Sequence, residues 1–136
     1  MKIETENQYQ VHKVNLMKPQ IDKTKFGSIT IDGEKYSHDI LIKLDGEVHK
    51  RKKKLSKELY GTSHILSLAE AEFVYEEGAE KLIYGTGNFN RSRLSEEAEN
   101  YFVGAGVTVQ LLPTQKAIKA WNEAEGRVIG LFHITC

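Results

Sequence analysis

The residues with the means to do chemistry are few and far apart in the chain. Gly85-Thr86-Gly87 follows the apolar run Leu82-Ile83-Tyr84, and Arg91 and Arg93 come soon after. A glycine-flanked turn at the end of a strand leaves room for a ligand, and nearby guanidiniums suit an anion. The dinucleotide pattern is incomplete, however. Position 90 is Asn90 where a third glycine belongs, and no acidic residue closes the strand ending at Leu112. The phosphate-loop pattern fails as well, because no Gly-Lys-Ser/Thr occurs. A plain structural turn therefore competes with an anion site at these positions.

His133 and Cys136 are the cysteine–histidine pair nearest in sequence, the elements of a thiolate nucleophile with its base. Packing of the last strand's end is the competing role. Thr62-Ser63-His64 and His38-Asp39 offer further acid–base groups, but no Gly-x-Ser-x-Gly elbow anchors a hydrolase triad. His12, His38, His49, His64 and His133 lack the spacing of a helical metal pair, so no metal is expected. Nor is any catalytic set or cofactor. The densest charge run is Lys50-Arg51-Lys52-Lys53-Lys54. It suits phosphates or anionic lipid, but no aromatic stacking positions follow it. A lysine-rich strand edge that resists aggregation is the alternative.

The whole chain of 136 residues balances 19 basic against 19 acidic side chains, which excludes the signature of a dedicated nucleic-acid protein. The charge is uneven: residues 1–57 carry a net +5 and residues 58–136 a net −5. Such asymmetry steers partners rather than folds. A single cysteine rules out an internal disulfide. No apolar run approaches the roughly 20 residues of a membrane span, and the start lacks a signal-peptide core. A reduced cytoplasmic location is expected.

The elements that must hold these residues follow from local pattern. Residues 1–22 are expected to be a terminal extension, with Tyr9, Val11, Val14 and Leu16 as a weak strand pattern broken by Lys13. Residues 23–136 are expected to form one domain. Phe26–Ile31 has strand character, and Asp32-Gly33 is a hairpin signal. Asp39–Leu44 follows, then Asp45-Gly46 and a strand over Glu47–Arg51, which predicts an antiparallel meander. Ser67-Leu-Ala-Glu70 fits a capping box opening a helix that Gly78 ends. Ser95 caps the next helix, and Pro113-Thr114 opens another carrying Ala117, Ile118 and Trp121. Strands at Leu82–Tyr84, Val107–Leu112 and Val128–Ile134 alternate with these helices. The second half is therefore β-α-β-α-β with parallel strands, an α/β fold, and its last strand has the continuous apolar character of an interior strand.

Several stretches together resemble one family. They are Phe26–Gly33, His38-Asp39-Ile40, Leu55–His64, Gly85-Thr86-Gly87, Leu112-Pro113-Thr114 and Leu131–Cys136. Over about residues 26–136 the chain resembles the Mth-nine-three-eight-like family of small proteins of unknown function. Its eukaryotic members include an adipogenesis-associated protein and, more distantly, a mitochondrial respiratory complex I assembly factor. The resemblance implies a three-layer α/β fold with a mixed central sheet and an antiparallel sheet on one side. It implies no reaction and no cofactor. The motif positions suggest that Tyr60, Thr62, Ser63, His64, Gly85, Thr86, Gly87, Arg91, Arg93 and His133 line one pocket.

The leading expectation is a non-enzymatic binding or assembly module with a protein partner. A binder or enzyme for a small anionic ligand at the glycine turn is the second. RNA contact through Lys50–Lys54 is the weakest, and no membrane partner is expected. An exposed apolar patch favours the first expectation. A deep pocket joining the glycine turn to His64 or His133 favours the second.

Overall fold

The computed structural model describes residues 18–136. The weak strand pattern between Tyr9 and Leu16 lies outside the described residues. Three short strands open the described chain: β1 (Ile21–Lys25), β2 (Ser28–Ile31) and β3 (Glu34–Tyr36), an antiparallel sheet in sequence order. Asp32 and Gly33 both take positive φ, 49° and 82°, which matches the hairpin's twist to that of its strands. The expected strand over Phe26–Ile31 is shorter than its sequence suggests. Phe26 and Gly27 are instead the turn between β1 and β2, with Lys25 paired to Ser28. In β1 only Ile21 is buried, so its sequence shows none of the alternation that marks a strand.

The central sheet has five strands in the order β5-β4-β10-β7-β9. Here β4 is Ile40–Ile42, β5 Val48–Lys50, β7 Lys81–Thr86, β9 Thr108–Leu112 and β10 Val128–His133. β10 runs parallel to β7 and antiparallel to β4, and β7 runs parallel to β9. The sheet is therefore mixed, with β10 in the middle and all six of its residues buried.

Side chains alternate across this sheet, as the pleat requires. Ile40, Ile42, Ile83 and Phe132 point to one core, where they meet Ile21, Ile29, Ile31 and Trp121. Leu41, Leu82, Tyr84 and Leu131 point to the other, among Leu66, Val74, Ala98 and Phe102. Helices α2 (Leu68–Val74) and α3 (Glu96–Gly104) cover the second face. Helix α4 (Thr114–Glu123) and the three-stranded sheet cover the first. That is the three-layer fold.

Helix α1 (Lys54–Tyr60) has no foreshadowing in the pattern, since Ser56 is its only buried residue. A two-stranded parallel pair, β6 (Ile65–Leu66) and β8 (Arg93–Leu94), ties the His64 loop to the segment after the glycine turn. Both expected serine caps form: Ser67 Oγ accepts from Glu70 N and Ser95 Oγ from Ala98 N. Helix α2 ends at Val74, ahead of Gly78. No described helix is long and apolar enough to cross a membrane.

Candidate functional site

The carboxyl ends of β7 and β10, the loop before β6 and the segment after β10 meet at one corner of the molecule. Its base is a buried charge network. Arg51, from the middle of the lysine run, is 3% exposed. Its Nε and Nη2 donate to the two oxygens of Glu70 at 2.6 and 3.1 Å, and its Nη1 donates to Asp39 Oδ2 at 3.0 Å. Ser63 O takes a fourth bond from Nη2. Glu70 thus does not return to Ser67 as a full capping box would. Its Oε1 instead accepts from Ser56 Oγ at 2.5 Å, and Ser56 Oγ accepts from Ser67 N. Burial opposes charge on Arg51, but the Glu70 bonds and the neighbouring carboxylates outweigh it and raise the guanidinium's pKa above its ordinary value.

Asp39 links this base to the corner's surface. Its Oδ2 accepts from His133 Nδ1 at 2.7 Å and its Oδ1 from Ile134 N at 3.0 Å. Burial works to raise the Asp39 pKa. The hydrogen bond and charge of His133, with Arg51 and the Ile134 amide, prevail and hold it below the ordinary value. In the neutral His133 ring this arrangement leaves the free lone pair on Nε2, which lies 3.2 Å from Thr135 Oγ1. His64 meets His133 edge to face, with ring centroids 5.5 Å apart. Cys136 Sγ lies 3.4 Å from His64 Nε2, so the thiol's partner is His64 rather than His133. Burial lowers the His64 pKa, and the His133, Arg91 and Arg51 charges lower it further.

The backbone around the glycine turn is fixed by contacts. Gly87 has φ +97°, and a Cβ there would lie 2.6 Å from the Cys136 carbonyl and 2.9 Å from His133 Cδ2. Only glycine lets the chain end pass this close. Thr114 Oγ1 accepts from Gly87 N and donates to His133 O, which pins the turn to β10. Gly85 faces Phe132, Thr114 and Ala117, so its role lies in packing under α4. Thr86 is buried, with its hydroxyl between Leu112 O and the Asn90 side chain.

Of the residues singled out by motif, the fold brings His64, Gly87 and His133 together. Thr62 and Ser63 are one step removed: Thr62 Oγ1 accepts from His64 N, and Ser63 O from Arg51. Arg93 N donates to His64 O, while the Arg93 side chain is exposed. Arg91 is exposed near enough to His64 to act on its charge. Tyr60 is half-buried at the end of α1. The cavity beside the network, about 290 Å³, opens on its Asp39 side, against Gly27, His38, Lys53 and Thr135. Sequence reasoning missed Arg51, Glu70 and Ser56, whose burial is set by partners distant in the chain.

A second feature lies at the far edge of the central sheet. Among the described residues β9 pairs only with β7, so its other side carries unpaired backbone groups. A groove of about 540 Å³ between β9 and α3 is lined by Leu94, Val103, Val107, Val109 and Leu111, with Glu99 its one charged residue. Val103 is 71% exposed and Leu111 42%.

The family model described as "Protein of unknown function (DUF498/DUF598)" matches residues 21–133, nearly all of the chain described above. The chain belongs to this family. Among solved structures, the conserved hypothetical protein PH1505 from Pyrococcus horikoshii OT3 shares 33% identity at a TM-score of 0.81, over 86% of this chain and 99% of that one. MT938 shares 34% identity at a TM-score of 0.74, over 87% and 99%. A Bordetella pertussis protein described as a Mth938-like domain shares 18% over 85% of each chain, and its TM-score of 0.57 shows the fold alone. The Mth938-like resemblance and the three-layer α/β fold are thereby shown, and none of these relatives' descriptions carries a function.

Proposed function

We propose that this DUF498 domain is a binding module that receives an extended segment of a partner protein along β9. The observation that carries the reading is a sheet edge left unguarded among the described residues. Thr108–Leu112 contains no charged residue and no proline, and apolar side chains line the groove beside it. Natural sheets blunt such edges with lysines or cover them. The opposite edge shows the contrast, because Lys50 lies on β5 and Lys52, Lys53 and Lys54 follow it, all exposed. An added strand satisfies the backbone of β9 while its side chains fill the groove. Glu99 and the net −5 of residues 58–136 favour a partner segment with basic residues flanking an apolar stretch. We place this module in the reducing cytoplasm, in keeping with its single free cysteine.

A photo-crosslinking residue at Gln110 in the native host tests the reading. The expected adduct joins β9 to an apolar, basic-flanked segment of a single protein. The Thr108–Leu112 amides then exchange more slowly in the reconstituted complex, and Leu111→Lys abolishes the adduct. An adduct indifferent to Leu111→Lys, or unchanged exchange, overturns the proposal, and crosslinking only to a second copy replaces it with self-association.

The corner supports a second reading, a small-ligand site, because His64, Gly87 and His133 converge there. RNA contact through Lys50–Lys54 has less support, since Arg51 is turned inward and its guanidinium is committed to Glu70 and Asp39.

A further inference from the structure

We propose that His64, His133 and Cys136 are the ligands of a divalent metal site of the zinc class. Their donor atoms all lie within 4.8 Å of one another. The separation of Cys136 Sγ and His64 Nε2, 3.4 Å, is close to the edge of a tetrahedron around zinc. Zn–S of about 2.3 Å and Zn–N of about 2.0–2.1 Å give an edge of about 3.6 Å. Two imidazoles and one thiolate are a ligand set of this ion, and they leave a fourth position for water or another ligand.

The surroundings match what a metal-binding histidine needs. His133 donates Nδ1–H to Asp39, the carboxylate–histidine arrangement that fixes the ring and leaves Nε2 to coordinate. Asp39 is itself held by Arg51 and the Ile134 amide, so the ring's position is set before any ion arrives. The buried charges point the same way. With His133 in the neutral form that coordinates a metal, Asp39 and Glu70 are two carboxylates against the single guanidinium of Arg51, which leaves an excess negative charge directly behind it. A cation on the far side of that imidazole compensates it. Gly87 keeps the approach of Cys136 open, since any Cβ there would collide with the Cys136 backbone and the His133 ring.

No helical spacing announces this set, because His64 and Cys136 are separated by 72 positions and only the fold joins them. Binding exchanges the Thr135 hydroxyl on His133 Nε2 for the metal, and the Cys136 thiol gives its proton to solvent as sulfur coordinates.

Cobalt(II) titration of the untagged, metal-stripped protein tests the site. The expected result is saturation at one equivalent, with the visible bands of tetrahedral cobalt and a thiolate-to-cobalt charge-transfer band, both erased by added zinc. Cys136→Ser is expected to remove the charge-transfer band and His64→Gln to weaken binding, whereas His49→Gln on the distant β5 edge leaves both unchanged. Asp39→Asn is expected to weaken binding by about 10- to 100-fold, as loss of such outer partners does. Should Asp39→Asn fail to fold, the half-buried Cys136→Ser keeps the test open, since thermal unfolding reports its fold and one fewer proton is released per metal. No saturable spectrum, or a charge-transfer band that persists in Cys136→Ser, overturns the proposal.

Discussion

Arg51 decides more at this corner than any other single residue, and nothing in its neighbourhood in the chain distinguishes it from four lysines. Its partners Asp39 and Glu70 lie 12 and 19 positions away, so its burial becomes visible only when β5 and α2 are placed. Removing one partner of a buried pair strands the other charge. Arg51→Ala is therefore expected to cost roughly 3–5 kcal/mol in denaturant unfolding, and Arg51→Lys to recover little, because one ammonium cannot reach both carboxylates in Arg51's geometry. Asp39 makes a pH prediction. Its folded pKa lies below the ordinary 3.8, so its contribution to stability is complete above that value and is lost as pH falls through the lower folded one. Acid unfolding of metal-free protein should show this slope, and Asp39→Asn should flatten it. The histidines and Cys136 are legible in the sequence as chemical groups, but their pairing is not, since proximity in space leaves no trace in spacing.

At the scale of elements, the local signals that carry a mechanism are the readable ones. Asp32-Gly33 makes its hairpin, and Ser67 and Ser95 cap their helices. Ser95→Ala is expected to cost about 1 kcal/mol, the ordinary value of a lost cap. Ser67→Ala should cost more, because the buried Ser67 hydroxyl also donates to Leu55 O, which loses that donor. Unfolding midpoints of the two variants measured side by side check the ranking. Helix α1 and strand β1 leave no mark in the sequence for one shared reason: each buries a single side chain, so neither shows periodicity. The glycine turn is legible, but its pattern suggests space for a ligand. The contacts give a different purpose, room for Cys136 and His133 to pass. Gly87→Ala should accordingly perturb the amide and ring resonances of His64, His133 and Cys136 in NMR spectra, while leaving those of the distant β1–β3 sheet in place.

For the whole molecule, strand–helix alternation and the apolar stretch Val128–Ile134 are enough to predict a parallel α/β half with a buried last strand. Where the antiparallel part attaches is not predictable from local pattern, because β4 and β5 join the central sheet while β1–β3 form a sheet of their own. Lys18 and Pro19, just before β1, also belong to the fold. Trp121 Nε1 donates to Pro19 O, and Lys18 reaches the Trp121 and Ala124 carbonyls across the indole face. A chain starting at Ile21 should thus be less stable by about 1–3 kcal/mol than one starting at Lys18, the cost of leaving the buried indole N–H without its acceptor. The place of β10 has a consequence for how the protein comes into being. Its neighbours β4 and β7 precede it in the chain, and Ile42 must wait for Gly130. During synthesis the β4–β5 hairpin and the β7–α3–β9 unit are two half-sheets with open inner edges, and their union is a late, long-range closure of the slow kind. The same closure carries His133 into place beside His64. The newborn chain therefore lacks this corner until β10 is threaded, and until then the inner edges of β4 and β7 stay open to pairing with neighbouring chains.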